Sequence, residues 1–262
     1  MAHGPNDDDL HAQAFGAVRT SRLLGPLDHE DLALVLEHAT AIRRARGGLL
    51  VTHGDDRVVV LLSGAAKEHR ETPHDPEVVL RLLAPGDVAG LSSALGTPSG
   101  GDVTALGPCR AVVLPGGELR GLARTRPAIA NAWLRAVTEQ LSDLRTRTWA
   151  FASTSTSRRV ICRLLELSDR FGEDVGCERH MRCELTQAEL ASWAGASRES
   201  TAKTLHTLRR AGLVTTRRRE LTLLDPSALR HRHGDCPRHP SAAHDRNSDE
   251  VVVLPEPAIS AR

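Results

Sequence analysis

Mostly apolar positions between residues 127 and 152 recur at alternating steps of four and three. This spacing predicts a long helix with a narrow apolar stripe, as in a two-stranded coiled coil. The same stripe would suit a helix that packs on its own domain, because a stripe alone does not identify its partner. The recurring positions are Ala130, Leu134, Val137, Leu141, Leu144, Thr148 and Phe151.

A different pattern occupies residues 47–115. Short runs rich in valine and leucine are separated there by Gly-Gly, Gly-Asp-Asp, Pro-Gly-Asp and Gly-Pro. Short strands with closely spaced turn signals predict a small barrel or jelly roll. Before this region, apolar residues at helical spacing after Pro26 predict a short helix over residues 28–38.

Helical periodicity resumes after residues 153–157, a run of hydroxyl side chains that predicts a hinge. Residues 158–172 have the spacing of an amphipathic helix, and a polar loop is predicted after them. Two capped helices follow, because Thr186 has the capping-box spacing to a glutamate and Ser197 can cap the second helix. Residues 213–225 then indicate two strands joined by a basic turn, which would form a wing.

These patterns predict an α+β chain with an N-terminal β jelly-roll barrel, a long dimerisation helix and a C-terminal winged helix-turn-helix. A chain of 262 residues is long enough for two compact domains. The predicted segments are a disordered arm (1–21), a β-barrel domain (22–126), the dimerisation helix (127–152), the hinge (153–157), the winged helix-turn-helix (158–229) and a disordered tail (230–262).

The charge of the chain is concentrated locally. A net charge of +1 gives no general sign of a polyanionic partner. Residues 185–219, however, contain seven basic and two acidic side chains, and a positive patch of this kind is what backbone phosphates require. Aromatic residues make up only 2% of the chain, which argues against base stacking as the mode of nucleic-acid recognition.

Several classes of protein find no support in the sequence. No apolar run is long enough for a membrane-spanning helix, and the N-terminus lacks a signal-peptide core, so a cytoplasmic protein is expected. The 5 cysteines, at irregular spacings, do not describe a disulfide framework. No nucleophile–base pair or P-loop stands out, so neither an enzyme nor a bound cofactor is predicted.

The second capped helix carries three charged side chains at its leading end. Arg198 and Glu199 fall in its first turn, and Lys203 lies one turn beyond Glu199. The major groove of DNA admits one helix, whose N-terminal residues reach the base edges. Arginine and lysine can pair with guanine there, and glutamate can accept from cytosine N4. The sequence therefore predicts base readout by this helix.

The stretch "LTQAELASWAGASRESTAKTLHTLRRAGLV" resembles the winged helix-turn-helix of the Crp/Fnr family of bacterial transcription regulators. The recognition helix of that family usually opens with Ser-Arg-Glu and carries a basic residue at the position of Lys203. Two further stretches, "LLSGAAK" and "LRLLAPGDVAGL", are similar to strands of the family's cyclic-nucleotide-binding-type barrel. With the long helix included, the resemblance covers about residues 22–229.

The resemblance implies a homodimer that is held by the long helices and binds double-stranded DNA at a palindromic operator, with half-sites like TGTGA. RNA polymerase is a further implied partner, and a membrane is not. The residues implied for dimerisation are Leu134, Val137, Leu141, Leu144 and Phe151. Those implied for DNA contact are Arg198, Glu199, Lys203, Thr186, Gln187, Ser197, Ser200, Arg217 and Arg218, with Thr186 and Gln187 on phosphate.

The barrel of cyclic-AMP-binding members carries a Gly-Glu pair for the ribose and then an arginine for the phosphate. This chain has Gly86 and Asp87 in the first place and Ser99 where the arginine would stand. A phosphodiester without a cationic partner binds poorly, because its desolvation is not offset. The resemblance therefore implies a degenerate nucleotide pocket. The residues that could still form it are Gly86, Asp87, Ser99, Gly100, Gly101 and Arg145.

Two alternative functions remain open from the sequence. One is a cyclic-nucleotide-dependent signalling module, although the absent arginine and the intact Ser-Arg-Glu pattern speak against it. The other is a metal- or redox-sensing regulator, because Cys177, His180 and Cys183 put three soft ligands into one polar loop, and residues 231–239 hold a similar group. Neither group has the paired C-x2-C spacing of a strong zinc signal, so no metal is predicted.

Overall fold

The computed structural model describes residues 18–19, 21–71, 77–97, 100–176, 178–181, 184–217 and 220–233. Most of the predicted arm and nearly all of the predicted tail lie outside these residues, so both expectations remain predictions. Within the described ranges, none of the helices combines the length and the apolar character needed to cross a membrane.

The first described helix, α1, spans His29–Glu37 and confirms the short helix expected near the N-terminus. Asp28 caps this helix, because its carboxylate accepts a 2.8 Å hydrogen bond from the amide of Asp31. Leu32 and Val35 lie on the inner face of α1 and are fully buried. The helix therefore packs as part of the N-terminal core.

The described strands of the N-terminal domain form two antiparallel sheets. One sheet has the order β1-β8-β3-β6, and the other has the order β2-β7-β4-β5. Side chains from both sheets meet in a common core, in which Val59, Leu61 and Leu83 are fully buried. The strands are β1 (Thr40–Arg44), β2 (Leu49–Val51), β3 (Arg57–Ser63), β4 (Ala66–Arg70), β5 (Val78–Leu83), β6 (Val88–Ala89), β7 (Asp102–Ala105) and β8 (Cys109–Pro115).

This arrangement is a jelly-roll-like sandwich and confirms the predicted jelly roll, although the described strands form two open sheets instead of a closed barrel. The sequence could not separate an open from a closed form, because strand lengths and turn spacings are alike in both. The open form matters at β5, which lies at the edge of the second sheet. An edge strand presents unpaired backbone groups, and the C-terminal domain binds to this one.

A short helix, α2 (Gly116–Thr125), leads into α3 (Pro127–Ser153), which confirms the long helix predicted from the stripe. Near its start, α3 buries Ile129 and Trp133 in the core that includes the first sheet. Val137, a stripe position, packs partly against the same core. Other large apolar side chains along α3 are between 44% and 65% exposed, namely Leu134, Leu141, Leu144, Trp149 and Phe151.

The C-terminal domain begins two residues after α3, with Ser155 as the capping residue of the next helix. The predicted polar loop after that helix is instead a hairpin, in which β9 pairs with β10. The strand β10 also pairs with the wing strand β12. The polar composition of this hairpin hid the alternation typical of strands. The elements are α4 (Thr156–Phe171), β9 (Gly172–Val175), β10 (Glu178–Met181), α5 (Gln187–Trp193), α6 (Arg198–Arg210), β11 (Val214–Arg217), β12 (Glu220–Leu223) and α7 (Pro226–His233).

One hydrophobic cluster contains buried residues from both domains. Val79 and Leu82 of β5 belong to the same buried cluster as Leu164 of α4, Trp193 of α5 and Leu205 of α6. Burial of these side chains stabilises the contact between the domains as well as each domain itself. The position of the helix-turn-helix is therefore fixed by packing against the N-terminal domain.

Candidate nucleic-acid interface

The helix α6 presents its leading end to solvent. Ser197 caps it, because its hydroxyl accepts a 3.0 Å hydrogen bond from the amide of Ser200. Arg198 in the first turn is exposed. Further along the helix, Leu205 and Leu208 are buried against the rest of the domain. Packing thus anchors the body of the helix and leaves its leading end open.

Glu199 and Lys203, the other two predicted reading residues, form an ion pair with each other. Their side chains are 76% and 75% exposed, and the Lys203 Nζ lies 2.7 Å from a Glu199 carboxylate oxygen. An ion pair this exposed contributes about 0–1 kcal/mol, so its exchange for contacts with bases costs little. Arg198, Glu199 and Lys203 are therefore all exposed to solvent within the first two turns of α6.

The helix α5 begins with a complete capping box. The Thr186 hydroxyl accepts from the Glu189 amide at 3.1 Å, and the Thr186 amide donates to the Glu189 carboxylate at 2.8 Å. The hydroxyl also donates to that carboxylate, so Thr186 is engaged within its own helix. Gln187, the neighbouring residue predicted to contact phosphate, is exposed.

The turn between α5 and α6 is held by residues from α3 and α4. Gly195 has φ +59°, and a Cβ added there would lie 2.7 Å from the Phe151 ring. The Arg159 guanidinium donates to the carbonyls of Ala194 and Gly195 and lies 4.7 Å from the centre of the Phe151 ring. Phe151, predicted for dimerisation, thus also supports the helix-turn-helix of its own chain.

The wing follows α6 as the β11–β12 hairpin. The Arg209 guanidinium of α6 donates to the Thr216 hydroxyl at 2.8 Å and so ties the wing to the helix. Arg217, at the tip end of β11, is exposed. Arg218 lies outside the described residues. The predicted basic wing is therefore present as far as Arg217, on the same domain as the exposed end of α6.

The open edge of β5 is bound by α5. The Ser192 hydroxyl donates to the Glu77 carbonyl at 2.9 Å and accepts from the Val79 amide at 2.8 Å. Lys67 of the neighbouring strand β4 donates to the carboxylates of Glu77 and Glu189, the latter at 2.9 Å. We call this contact, made by Lys67, Glu77, Val79, Ser192 and Glu189, the β5–α5 seam.

Two charged residues of the seam, Lys67 and Glu189, stabilise each other in their ionised forms. Burial acts to lower the pKa of Lys67, but the hydrogen bonds to Glu77 and Glu189 outweigh it and raise that pKa above its ordinary value. Burial acts to raise the pKa of Glu189, but hydrogen bonds from Lys67 and Thr186 hold it below its usual range. The capping box of α5 is thereby linked to the N-terminal domain through the ion pair of Glu189 with Lys67.

A second contact between the domains is centred on Asp87, which follows β5. This residue is 7% exposed, and its carboxylate accepts a 2.8 Å hydrogen bond from the Ala84 amide. It also pairs with Arg170 of α4 and, at 3.5 Å, with Arg22. Asp87 was predicted to hold a ribose next to Gly86, whereas in this structure the protein's own arginines surround its carboxylate.

Of the remaining predicted pocket residues, the two glycines in the described part of the chain lie against the protein's own groups. Gly100 lies against the carboxylate of Glu68, which pairs with Arg81 on the adjacent strand. An anion held by the Gly100 amide would therefore meet a carboxylate. Gly101 packs against the backbone of His69, and Arg145 is exposed. Ser99 lies outside the described residues.

A different arginine of α3 reaches the N-terminal domain. The Arg147 guanidinium donates to the Leu80 carbonyl at 2.8 Å and lies 3.4 Å from the Glu166 carboxylate of α4. Arg163 and Arg170 pair with the same carboxylate. Burial, assisted by these neighbouring guanidiniums, lowers the pKa of Arg147 to about 10 despite the attraction of Glu166.

The structure describes His180 but not the two cysteines that were predicted as ligands beside it. His180 is exposed on β10, and its Nε2 lies 3.1 Å from the Glu178 carboxylate, while Cys177 and Cys183 lie outside the described residues. Of the two cysteines in the described part of the chain, Cys109 is free and buried and Cys162 forms a disulfide. These positions do not test the alternative of a metal or redox sensor.

Sequence reasoning missed the ionic contacts between the domains. Asp87 and Arg170 are 83 positions apart, and no local pattern links them. One signal was available at Arg81, because a charged residue inside the apolar run "VVLRLL" needs a buried partner. That partner is Glu68, directly opposite on β4.

A jelly-roll-like domain, a long connecting helix and a capped helix-turn-helix with an exposed charged end define a two-domain DNA-binding transcription regulator. Residues 42–126 match the family model of the cyclic nucleotide-binding domain, and residues 158–232 match that of the Crp-like helix-turn-helix domain. The chain therefore belongs to the Crp/Fnr family of transcription regulators.

Individual relatives agree with this assignment. The CRP-like cAMP-activated global transcriptional regulator of Mycobacterium tuberculosis is 29% identical over 190 residues, which are 71% of this chain and 85% of that protein. The HTH-type transcriptional regulator Cmr of the same species is 28% identical over 230 residues, covering 84% and 89%. The crystal structure of TTHB099, a CRP-family regulator from Thermus thermophilus, superposes with a TM-score of 0.65 at 22% identity, covering 76% and 99%, and supports the fold.

Proposed function

We propose that this regulator binds an inverted-repeat operator as a homodimer and reads each half-site with the leading end of α6. The observation that carries the proposal is the solvent-facing surface of Arg198, Glu199 and Lys203 on a helix whose other face is buried. In the helix-turn-helix geometry, such an end enters the major groove.

Each reading residue has a chemically matched base. Arg198 would donate a bidentate pair to guanine O6 and N7, and Lys203 would donate to a second guanine. Glu199 would accept from cytosine N4 of the complementary strand. A half-site like TGTGA contains two guanines, each paired with a cytosine on the complementary strand. Because Glu199 and Lys203 form an exposed ion pair with each other, both can turn to the bases at little cost.

Phosphate contacts would fix the register of this helix. Gln187 and Arg217 are exposed on the same domain, and Arg218 continues the basic wing in the sequence. The hydroxyls of Ser197 and Ser200 form a 2.9 Å hydrogen bond with each other. We therefore propose helix capping as their main role and contact with DNA as a secondary one. The Thr186 hydroxyl is likewise engaged in its capping box.

Dimerisation would use the exposed face of α3. Leu134, Leu141 and Leu144 follow the heptad spacing and are 65%, 44% and 60% exposed. A second copy of the helix would remove these side chains from water. Two recognition helices would then match the two halves of an inverted repeat. Regulation would act on RNA polymerase in the cytoplasm by binding alone, without an enzymatic step.

Replacing Arg198 with alanine is expected to relax base preference at one position of each half-site. The lost bidentate pair is worth about 1–3 kcal/mol of discrimination. Fluorescence anisotropy against operators substituted one base pair at a time measures this preference. Arg124→Ala removes an equally charged, exposed side chain from α2 and should leave the preference intact. Unchanged base preference in Arg198→Ala would refute the assigned role.

We also expect operator binding to be independent of cyclic AMP. The M. tuberculosis relative is described as cAMP-activated, but in this chain Glu68 lies beside Gly100 and the phosphate arginine is replaced by Ser99. A phosphodiester would therefore meet a carboxylate, and the guanidinium next to that carboxylate, Arg81, is already paired with it. Anisotropy titrations with and without cyclic AMP should give the same dissociation constant. Binding only in the presence of the nucleotide would overturn this part of the proposal.

A further inference from the structure

Three potential metal ligands converge beside the β5–α5 seam. His69 lies near the end of β4, Glu71 follows that strand and Glu77 precedes β5. One ligand atom from each of the three side chains lies within 4.8 Å of the other two. The pairing of the two strands, in which His69 is opposite Val79, brings these positions together. None of them was singled out by the sequence patterns.

The imidazole of His69 is buried and only half satisfied. The residue is 8% exposed, and its Nε2 lies 2.9 Å from the Thr104 hydroxyl oxygen. Its Nδ1 has no hydrogen-bond partner among the described residues. When Nε2 donates its proton to the hydroxyl, Nδ1 carries a lone pair that faces the two glutamates. A buried acceptor without a partner is unfavourable and rare in folded proteins.

The distance between the ligand atoms suits a shared ion. The His69 Nδ1 lies 3.9 Å from a carboxylate oxygen of Glu77, which is too far for a hydrogen bond. Bonds of about 2.0–2.2 Å from Zn²⁺ to nitrogen and oxygen ligands place two ligands of one ion about 3–4 Å apart. A single cation between these atoms would therefore satisfy both.

We propose that His69, Glu71 and Glu77 form a binding site for a divalent transition-metal ion, with water completing the coordination. The imidazole nitrogen favours such an ion over Mg²⁺ and Ca²⁺, which prefer oxygen ligands only. Thr104 acts as the outer partner that orients the ring, as is usual for metal-bound histidines. Glu71 is exposed at the end of β4, so a path for the ion from solvent is open.

The position of the site links it to the helix-turn-helix. Glu77 holds Lys67 through one carboxylate oxygen and faces His69 with the other. A cation bound to Glu77 would share this carboxylate with Lys67 and weaken one link of the β5–α5 seam. We expect the C-terminal domain to be released more easily and to bind DNA more tightly as a result. This coupling rests on the proposed function, whereas the metal site itself does not.

Isothermal titration of the full chain with Zn²⁺, in a reductant that does not chelate metals, tests the site. The His69→Gln and Glu71→Gln variants should each lose one equivalent of Zn²⁺ or bind it at least about tenfold more weakly. Glu71 is exposed, so its variant keeps the test valid if the buried substitution impairs folding. His38→Gln, a matched change at a histidine 3.7 Å from Glu118, should bind as the wild type does. Equal stoichiometry and affinity in all four proteins would overturn the proposal.

Substitution with Co²⁺ identifies the ligands independently. Cobalt bound to one imidazole and two carboxylates gives d–d absorption bands without the charge-transfer band that thiolates add. We expect the d–d bands of the cobalt ion that is bound without thiolate ligands to be absent from the spectrum of His69→Gln. A spectrum that carries only thiolate bands, and that is unchanged in His69→Gln, would assign all bound metal to the cysteines and contradict the site.

Anisotropy on the inverted repeat, with and without Zn²⁺, tests the coupling. We expect Zn²⁺ to increase the affinity of the wild type several-fold and to leave that of Glu71→Gln unchanged. An unchanged affinity in the wild type, together with one lost equivalent of Zn²⁺ in Glu71→Gln, would retain the site and refute the coupling. If the chain prefers no operator, that result counts against the proposed function. It does not affect the metal site, because the calorimetric titration contains no DNA.

Discussion

Replacing Asp87 with asparagine is expected to lower the free energy of unfolding by about 3 kcal/mol at neutral pH. Asparagine keeps the shape of the side chain but removes the charge that faces Arg170, which is a buried guanidinium. Removal of one partner from a buried ion pair costs about 3–5 kcal/mol. We expect the lower end of this range, because Arg170 also pairs with Glu166. Urea denaturation of the full chain measures the difference.

The effect of Asp87→Asn should depend on pH in a defined direction. Burial alone would raise the pKa of Asp87, but Arg170 and Arg22 outweigh it and hold the pKa below its usual value. A carboxylate with a lowered folded-state pKa stabilises the fold above its unfolded-state pKa, which is about 3.9. The contribution is lost as the pH falls through the folded-state value. The difference between wild type and Asp87→Asn should therefore be constant near neutrality and shrink below about pH 4.

A matched surface pair provides the control for Asp87. Asp56 lies 3.1 Å from Arg120, but its side chain is 49% exposed. Asp56→Asn removes the same charge and is expected to cost no more than about 1 kcal/mol. Equal destabilisation by the two substitutions, or a difference that persists unchanged at low pH, would show that the buried contact of Asp87 does not hold the domains together.

The helix-turn-helix was predictable because its signals are local. Ser197 caps α6 and Thr186 caps α5 within four residues of the amides that they accept from. The positive φ of Gly195 marks the turn between them. Each of these features depends on residues that are adjacent in the sequence. The exposed position of Arg198 follows from its place in the first turn of the helix that they define.

The contacts between the domains were not predictable, because they join residues that are distant in the sequence. Ser192 bonds to Glu77 across 115 positions, and its role depends on β5 being an edge strand. The sequence predicted a jelly-roll barrel but did not indicate which strand forms an edge. The ribose contact predicted for Asp87 depends on contacts of the same distant kind. Asp87 has the residue type expected for a ribose contact, but only the fold shows that Arg170 occupies its carboxylate.

The long helix α3 shows how one pattern can serve two surfaces. The stripe left open whether the helix packs on its own domain or on a second copy. In the structure, Ile129 and Trp133 pack on the N-terminal domain, whereas Leu141 and Leu144 remain exposed. The burial of the first pair explains how α3 is positioned. The exposure of the second pair leaves an apolar surface that a partner helix would cover.

Replacing Leu144 with lysine is therefore expected to convert the proposed dimer into a monomer. In a symmetric helix pair, the two copies of residue 144 would bring two ammonium groups into an apolar contact. A monomer can engage only one half-site and forfeits the base contacts of the other, each worth about 1–3 kcal/mol. The affinity for the inverted repeat should fall by at least about 100-fold. Sedimentation equilibrium and anisotropy measure the two effects.

The control for this substitution is a leucine of equal exposure at a distant site. Leu95 is 62% exposed in the 3-10 turn after β6, compared with 60% for Leu144. Leu95→Lys adds the same charge to the surface and should leave both the mass of the particle and its DNA affinity unchanged. A dimeric Leu144→Lys protein with wild-type affinity would place the dimer contact elsewhere. A wild type that is monomeric at all concentrations but still prefers the inverted repeat would show that the exposed face of α3 has another partner.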